Sequence, residues 1–224
     1  MLFNLKKLLT INDLISEANL FSINFSLTNH PELYGINDGK KIGTFVEHAF
    51  KKFLENKYIF MSGNSARGID IPDPLINTDI KVTSIQQPQS SCPFKSARQK
   101  IFGLGYNLII FVYEKQDDSS TRTSRLQIKY CTFVESKHTA DYTLTRMLNS
   151  LKDGGANKED IIGHFENINL PGDEIIYSEL ADEVLEKTIY QGYLTISNAL
   201  QWRLQYSRVI NLNNQVLGVK NYIW

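Results

Sequence analysis

The sequence predicts an α/β fold in which a mixed central β-sheet is flanked by helices and followed by a helical C-terminal region. Three segments carry this prediction. Residues 44–54 place their apolar side chains on one stripe at the 3.6-residue period, which indicates an amphipathic helix packed on a flat surface. Residues 107–113 are apolar on both faces, which is typical of a strand in the middle of a covered sheet. Residues 125–134 alternate in polarity and predict a further strand of the same sheet.

The other elements are predicted from turn residues and shorter apolar patterns. Three short strands precede the central strand, at residues 58–61, 68–72 and 76–85. A short helix at 95–102 ends at Gly103, and the polar stretch at 115–124 predicts a loop. Apolar stripes predict three later helices, at residues 142–151, 175–189 and 194–206. We therefore expect a single domain over residues 1–224, with a core at about 42–135 and the helical region at about 139–224.

Length and composition exclude several classes of protein. The chain has 224 residues, of which 42% are hydrophobic and 21% charged, as in an ordinary folded globular protein. The longest apolar run, residues 108–113, is far too short to cross a bilayer, so no membrane partner is expected. Cys92 and Cys131 lack the spacing of a redox or metal motif, which favours reduced thiols in a cytoplasm. Gly103-Leu-Gly105 lacks the third glycine of a nucleotide-binding loop, so no nucleotide cofactor is expected.

The charges are balanced overall but unevenly distributed. The chain has 24 basic and 24 acidic residues. Residues 81–113 and 187–224 each contain four cations and no acid, whereas residues 153–186 contain ten acids and a single lysine. A polyanion can therefore meet a basic surface while the acidic flank stays away from it. The alternative is that these charge runs are ordinary solvated faces.

One strand carries a carboxylate and an ammonium on the same face. Side chains alternate along a strand, so Asp79 and Lys81 project from one face and Ile80 from the other. If the preceding strand pairs antiparallel through the turn at Pro74 and Leu75, residue 70 lies opposite residue 79. The carboxylates of Asp70 and Asp79 then face each other across the strand pair.

Two facing carboxylates repel each other unless a cation lies between them. A site with few oxygen ligands and room for water suits Mg²⁺, and Lys81 beside the ion could orient or help deprotonate a water molecule. Asp73 is an odd number of residues from Asp70 and points away in a regular strand, so it is the second choice as ligand. The alternative interpretation is a surface hairpin with an exposed Asp–Lys pair.

The order of these residues along the chain resembles the PD-(D/E)xK nuclease superfamily. The pattern is Asp70, then Asp79-Ile80-Lys81, placed after the helix that contains Glu47 and before the apolar strand. The segments 63–70 and 79–94 resemble type II restriction endonucleases more narrowly, and the resemblance covers roughly residues 42–135. The chain departs from the motif in having Ile69 where proline precedes the first carboxylate, and aspartate at position 79 where glutamate is commoner.

The resemblance implies Mg²⁺-dependent hydrolysis of phosphodiester bonds within a specific double-stranded DNA sequence, usually by a homodimer. It implies that Asp70, Asp79 and Lys81 are catalytic, and that the metal is held at Asp70, Asp79 and Ile80. Glu47 matches an acidic residue often found on the first helix of such enzymes, although it lies off the apolar stripe and could pair with Lys51 instead. Two alternatives are a structure-specific repair or recombination nuclease of the same superfamily and a non-cleaving DNA-binding protein on the same fold.

DNA contacts are expected in the first acid-free segment and beside the metal site. The residues suited to base edges are Gln86, Gln87, Gln89, Ser90 and Ser91. The cations suited to phosphates are Lys95, Arg98 and Lys100. Asn64 and Arg67 flank the metal site and are expected near the DNA backbone. The alternative interpretation of residues 86–102 is a polar loop followed by an amphipathic helix.

Overall fold

A computed structural model describes residues 6–63, 68–92, 96–197, 203–213 and 216–224. The helices within these ranges are α1 (Ile11–Ser26), α2 (Gly39–Glu55), α3 (Arg98–Phe102), α4 (Tyr142–Asp153), α5 (Lys158–Asn167), α6 (Glu174–Glu186) and α7 (Ser207–Ile210). The strands are β1 (Lys7–Leu8), β2 (Asn29–His30), β3 (Tyr58–Ile59), β4 (Thr78–Ser84), β5 (Gln89–Ser91), β6 (Asn107–Asp118), β7 (Thr123–Val134), β8 (Thr195–Ile196), β9 (Arg203–Gln205) and β10 (Val219–Ile223). Short 3₁₀ turns lie at Pro31–Leu33 and Ser136–His138.

The chain divides into two compact units. The first comprises the described parts of Met1–Pro88, Asn107–Val134 and Ile210–Trp224, and the second those of Gln89–Tyr106 and Glu135–Val209. Most of the expected core at about 42–135 falls in the first unit, and the segment 89–106 falls in the second. None of the helices in the described ranges has the length and apolar character needed to cross a membrane.

The first unit is built on a mixed sheet, as predicted, and this sheet has five strands. Its strand order is β10-β7-β6-β4, with β2 paired to β7. Strands β4 and β6 run parallel, whereas β7 is antiparallel to both of its long neighbours, β6 and β10. The predicted central position of residues 107–113 is confirmed, because β6 lies between β4 and β7 and its residues 108–112 are fully buried.

Helices α1 and α2 supply the core that covers one face of this sheet. Phe21 of α1 lies 5.0 Å from Phe50 of α2, and Phe50 lies 5.1 Å from Phe111 of β6, measured between ring centroids. Ile80 of β4 belongs to the same buried cluster. The apolar stripe predicted for residues 44–54 is therefore the face that α2 packs against the sheet, and burial of such rings is a large part of the stability of this unit.

The prediction of a polar loop at residues 115–124 is wrong. Strand β6 continues to Asp118 and β7 begins at Thr123, so the two strands pair to the end of the hairpin. The ladder hydrogen bonds join backbone groups, so polar side chains on the exposed end of a hairpin do not prevent them. The turn is closed by the Asp118 carboxylate, which accepts a hydrogen bond from the Ser120 N–H at 2.8 Å.

The second unit combines helices with a small separate sheet. Helices α3 to α6 contribute buried side chains to one cluster, among them Ile101, Leu148, Phe165 and Ala181. The predicted helices at 142–151 and 175–189 correspond to α4 and α6, whereas α5 was not predicted. The three-stranded sheet has the order β5-β9-β8.

The prediction of a helix at residues 194–206 is also wrong, because this segment contains β8 and β9. Within 194–197 and 203–206 the buried residues are Leu194, Ile196, Leu204 and Tyr206, which are all even-numbered and follow the two-residue period of a strand. Residues 198–202 between the strands lie outside the described residues. The last strand, β10, then pairs with β7 of the first unit.

Asp141 holds three segments of the second unit together. Its Oδ1 accepts the Leu144 N–H at 2.9 Å and so caps α4, and its Oδ2 accepts the Ile196 N–H of β8 at 2.8 Å. Its own N–H donates to the Lys100 carbonyl at 2.9 Å. The Asp141 side chain is buried, so no water can readily replace it in these bonds.

Replacing Asp141 by alanine should lower the free energy of unfolding by about 3 kcal/mol. The variant loses a helix cap and leaves the buried Ile196 N–H without an acceptor. Asp173→Ala is the matched control, because Asp173 is exposed and caps α6 through one bond to the Ile176 N–H at 2.9 Å, so its loss should be about 1 kcal/mol. Urea denaturation measures both values, and equal losses would contradict this role of Asp141.

Candidate active site

The two strands expected to carry the carboxylates pair in the predicted register. Ile71 and Thr78 exchange two main-chain hydrogen bonds, each 3.0 Å long, in an antiparallel bridge. Residue 70 therefore lies opposite residue 79, as expected from a turn centred on Pro74 and Leu75. This short pairing brings the Asp70 carboxylate to the edge of β4.

The turn between these strands uses Asp73. Its Oδ1 accepts the Leu75 N–H at 3.0 Å, and its main-chain carbonyl accepts the N–H groups of Ile76 and Asn77 at 2.9 and 2.6 Å. Asn77 has a positive φ of 35°, which an asparagine tolerates better than most residues. Because the Asp73 carboxylate closes the turn, the geometry favours Asp70 over Asp73 as the first carboxylate of the site.

Asp70 connects β4 to helix α2. Its Oδ2 accepts the Ile80 N–H at 2.8 Å, and its Oδ1 lies 2.7 Å from Nζ of Lys51. The same ammonium lies 2.8 Å from Oε1 of Glu47, one helical turn earlier on α2. Glu47 therefore pairs with Lys51 and also belongs to the charged cluster around Asp70. The two interpretations of this residue are thus compatible.

Lys51 also belongs to this cluster, although the sequence predicted it only as a partner of Glu47. Its side chain is 12% exposed, which is low for a lysine, and it lies between two carboxylates from different elements. The signal in the sequence was the i, i+4 spacing from Glu47 at the border of the apolar stripe. That spacing does not reveal Asp70, because the contact depends on how α2 packs against the sheet.

Asp79 and Lys81 lie next to each other on one face of β4, as the alternation predicted. Oδ2 of Asp79 lies 2.7 Å from Nζ of Lys81, and the Asp79 side chain is only 5% exposed. Ile80 points to the opposite face and is buried in the core. The N–H and C=O of a strand residue point to the same edge, so the Ile80 carbonyl faces the edge where Asp70 lies.

The two aspartates differ in their affinity for a proton. Burial raises the pKa of Asp79 to about 7, and the neighbouring Asp70 adds to the rise while Lys81 opposes it. Burial alone would also raise the pKa of Asp70, but hydrogen bonds from Asp79, Lys51 and Glu47 outweigh it and lower the pKa to about 2. Asp79 therefore holds a proton more readily than Asp70 does.

The same cluster perturbs the groups on α2. Burial raises the pKa of Glu47, and the contact with Asp70 adds to this rise although Lys51 opposes it. Burial disfavours the Lys51 ammonium, but its hydrogen bonds to Asp70 and Glu47 prevail and raise its pKa. Lys51 is therefore a stable positive charge between the Glu47 and Asp70 carboxyl groups.

The donor set suits a hard divalent cation. Asp70 and Asp79 offer carboxylate oxygens in mutual contact, and the Ile80 carbonyl supplies a neutral oxygen at the same edge. Across the described ranges, no group of three or more His, Cys, Asp or Glu side chains is arranged to hold a metal ion. Two carboxylates, one carbonyl and several waters are the combination that Mg²⁺ accepts.

The residues expected to contact bases belong to both units. Gln86 and Gln87 are exposed in the turn after β4, where the Gln87 N–H donates to the Ser84 carbonyl at 3.3 Å. Gln89 and Ser91 lie on β5, half-buried and exposed respectively. Ser90 between them points to the other face, where its hydroxyl lies 2.5 Å from that of Tyr206. Ser90 is therefore poorly placed for the DNA contact that the sequence suggested.

The cations expected at phosphates also have different surroundings. Nε of Arg98 lies 2.9 Å from Oε2 of Glu183, and its guanidinium stacks over Phe102 at 4.7 Å. Lys100 is 4% exposed, and burial lowers the pKa of its ammonium despite the opposing charge of Asp141. A buried side chain does not reach a phosphate at the surface, so we leave Lys100 out of the DNA contacts. The remaining expected contacts, Asn64, Arg67 and Lys95, lie outside the described residues.

A family model and a sequence relative support the resemblance to type II restriction endonucleases. A family model described as type II restriction enzyme NspV matches residues 8–221. The type II restriction enzyme NspV from Nostoc sp. (strain ATCC 29411 / PCC 7524) is 52% identical over 212 residues, which cover 95% of this chain and 96% of that protein. A crystal structure of tetrameric restriction endonuclease SfiI bound to cognate DNA aligns over 96% of this chain and 81% of that chain, at 9% identity and a TM-score of 0.47. The family match and the 52% identity over nearly the whole length establish that the chain belongs to the NspV family of type II restriction enzymes.

Proposed function

We propose that this protein is a Mg²⁺-dependent type II restriction endonuclease that hydrolyses phosphodiester bonds within a specific double-stranded DNA sequence. The observation that carries the proposal is the register that places Asp70 opposite Asp79, with Lys81 Nζ 2.7 Å from Asp79. Membership of the NspV family supports the same activity. The proposal assigns catalysis to Asp70, Asp79 and Lys81, with Glu47 as an outer carboxylate.

Asp70, Asp79 and the Ile80 carbonyl are the groups that would hold the ion. When bound, a divalent cation stabilises the charge that develops on the phosphate and lowers the pKa of a bound water. Lys81 has a defined position because its ammonium is paired with Asp79. From there it can donate hydrogen bonds to the attacking water or to a phosphate oxygen, which aligns them for in-line attack.

Glu47 and Lys51 act on Asp70 rather than on substrate. Lys51 fixes Asp70 Oδ1, and the Ile80 N–H fixes Oδ2, so both oxygens of this carboxylate have set directions. Glu47 in turn holds Lys51 at 2.8 Å. Outer groups of this kind orient a ligand and reduce the entropy that the site loses when it binds an ion.

We further propose that the protein acts as a homodimer. The described residues contain one contacting Asp–Asp pair next to a lysine, and each such site cleaves one strand. A second copy supplies the second site for the opposite strand, and two-fold symmetry matches a palindromic target. Sedimentation in solution should therefore give twice the chain mass of 25.7 kDa, and a strictly monomeric active species would contradict this part of the proposal.

Digestion of a long phage DNA with Mg²⁺ tests the activity directly. Discrete fragments with common end sequences are expected of a site-specific endonuclease. A smear, or cleavage only at branched or damaged DNA, would indicate a structure-specific nuclease instead. Binding without cleavage in Mg²⁺ would indicate a DNA-binding protein that has kept the fold.

The choice between Asp70 and Asp73 can be tested with two isosteric variants. Asp70→Asn should lower the cleavage rate at least about 100-fold, because a direct ligand should matter more than an outer group. Asp73→Asn should keep most of the activity, since an asparagine side chain still accepts the Leu75 N–H in the turn. Single-turnover cleavage of a plasmid measures both rates, and the reverse order would move the site to Asp73.

Replacing Lys51 by methionine removes the ammonium between Glu47 and Asp70. Without divalent ions we expect the free energy of unfolding to fall by about 2 kcal/mol, because two half-buried carboxylates lose their shared cation. Ca²⁺ should then raise the melting temperature of the variant more than that of the wild type, since a bound ion restores positive charge.

Lys158→Met is the control for this measurement. Lys158 Nζ lies 2.7 Å from Asp182 Oδ2, but the side chains are 32% and 53% exposed, more than those of Lys51 and its partners, so its loss should cost less than about 1 kcal/mol. Ca²⁺ should affect this variant as it affects the wild type. Similar losses in the two variants, or an equal response to Ca²⁺, would remove Lys51 from the metal site.

A further inference from the structure

The small sheet of the second unit has one apolar and one polar face. Opposite residues of an antiparallel pair share a face, and the register pairs Gln89 with Gln205 and Ser91 with Arg203. The intervening pair, Ser90 and Leu204, points the other way, and Leu204 is fully buried. Four polar side chains therefore project together from β5 and β9, and we call them the outer face: Gln89, Ser91, Arg203 and Gln205.

The outer face is accessible and has the chemistry of a base-reading surface. Arg203, Gln205 and Ser91 are exposed, and Gln89 is half-buried. A glutamine amide offers a donor and an acceptor that match adenine, and an arginine fork matches guanine. Thr195 of β8, which pairs with Gln205, adds a hydroxyl at the border of this face.

The charge pattern of the chain agrees with this surface. Strand β5 lies in the acid-free segment 81–113, and β9 lies in the acid-free segment 187–224. The register places these two distant segments side by side, so the outer face carries a positive charge and no carboxylate of its own. A polyanion meets no repulsion from these strands.

The strands beneath the outer face are held from the buried side. The Ser90 hydroxyl contacts the Tyr206 hydroxyl at 2.5 Å, and Tyr206 is fully buried. The Ile196 N–H donates to buried Asp141, and Ile196 is itself 3% exposed. Side chains on a fixed backbone lose less entropy on binding, which favours their use in sequence discrimination.

We propose that β5 and β9 form a ribbon whose outer face enters the major groove, with Arg203 and Gln205 as specificity-determining residues. These are two neighbouring strands of the three-stranded sheet, and a pair of strands fits the width of that groove. The inference rests on the proposed function, because only a site-specific enzyme needs to read bases. It adds two residues to the expected contacts Gln89 and Ser91, and it excludes Ser90, which lies on the buried side.

The test compares binding to the target sequence and to a scrambled duplex. The target is defined by the fragment ends that the wild-type protein produces from phage DNA. Fluorescence anisotropy in Ca²⁺ then gives the ratio of the two affinities for Arg203→Gln and Gln205→Ala. Each variant should lower this ratio at least about fivefold, because one bidentate contact discriminates by that much or more.

Arg146→Gln is the matched control. Arg146 is an exposed arginine of α4 in the same unit, and its replacement removes the same charge without touching the outer face. It should leave the ratio of affinities unchanged. If either test variant melts several degrees below the wild type, Gln89→Ala on the neighbouring strand takes its place, with the same expected loss.

The outcomes separate the two proposals. The wild-type protein could give discrete fragments while the folded outer-face variants keep the wild-type ratio of affinities. That result would overturn the recognition surface and leave the proposed function standing. An equal loss of affinity for both duplexes would also overturn it, because it would indicate phosphate contact rather than base reading. The absence of discrete fragments from the wild-type protein would overturn the proposed function, and this inference with it.

Discussion

The site depends on the two hydrogen bonds between Ile71 and Thr78. They place residue 70 opposite residue 79, and a shift of one residue would turn Asp79 away from Asp70. The Asp73 turn fixes this register over only six intervening residues. Everything else in the cluster follows from it, because Lys51 and the Ile80 N–H can reach Asp70 only when Asp70 lies at the edge of β4.

The hydrophobic core supplies the second constraint. Val46, Phe50 and Leu54 are fully buried against the sheet, so the rotation of α2 about its axis is set by apolar packing. Glu47 and Lys51 stand at the border of this stripe and are carried to the edge of β4 as a consequence. Their electrostatic contacts are therefore made between groups that the core has already positioned, which reduces the entropy cost of forming them.

Local patterns predicted the parts of the fold that depend on local geometry. The stripe of α2, the central strand β6 and the pairing of residue 70 with residue 79 each follow from a period or a turn. The failures have a different origin. Residues 194–206 were assigned to a helix because short apolar runs fit both periods, and only the burial of even-numbered residues selects strands. Lys51 was missed because its contact with Asp70 joins segments 19 residues apart through tertiary packing.

The balance of charge in the site explains how an acidic centre can approach a polyanion. Asp70 and Glu47 share the Lys51 ammonium, and Asp79 is paired with Lys81, all at 2.7–2.8 Å. Three carboxyl groups against two ammonium groups leave one excess negative charge, and the raised pKa of Asp79 allows a single proton to cancel it. The two ammonium groups thus offset most of the negative charge of the three carboxyl groups. In the proposed active site a divalent cation would add two positive charges to this cluster, so the ion that completes the site would also attract a phosphate.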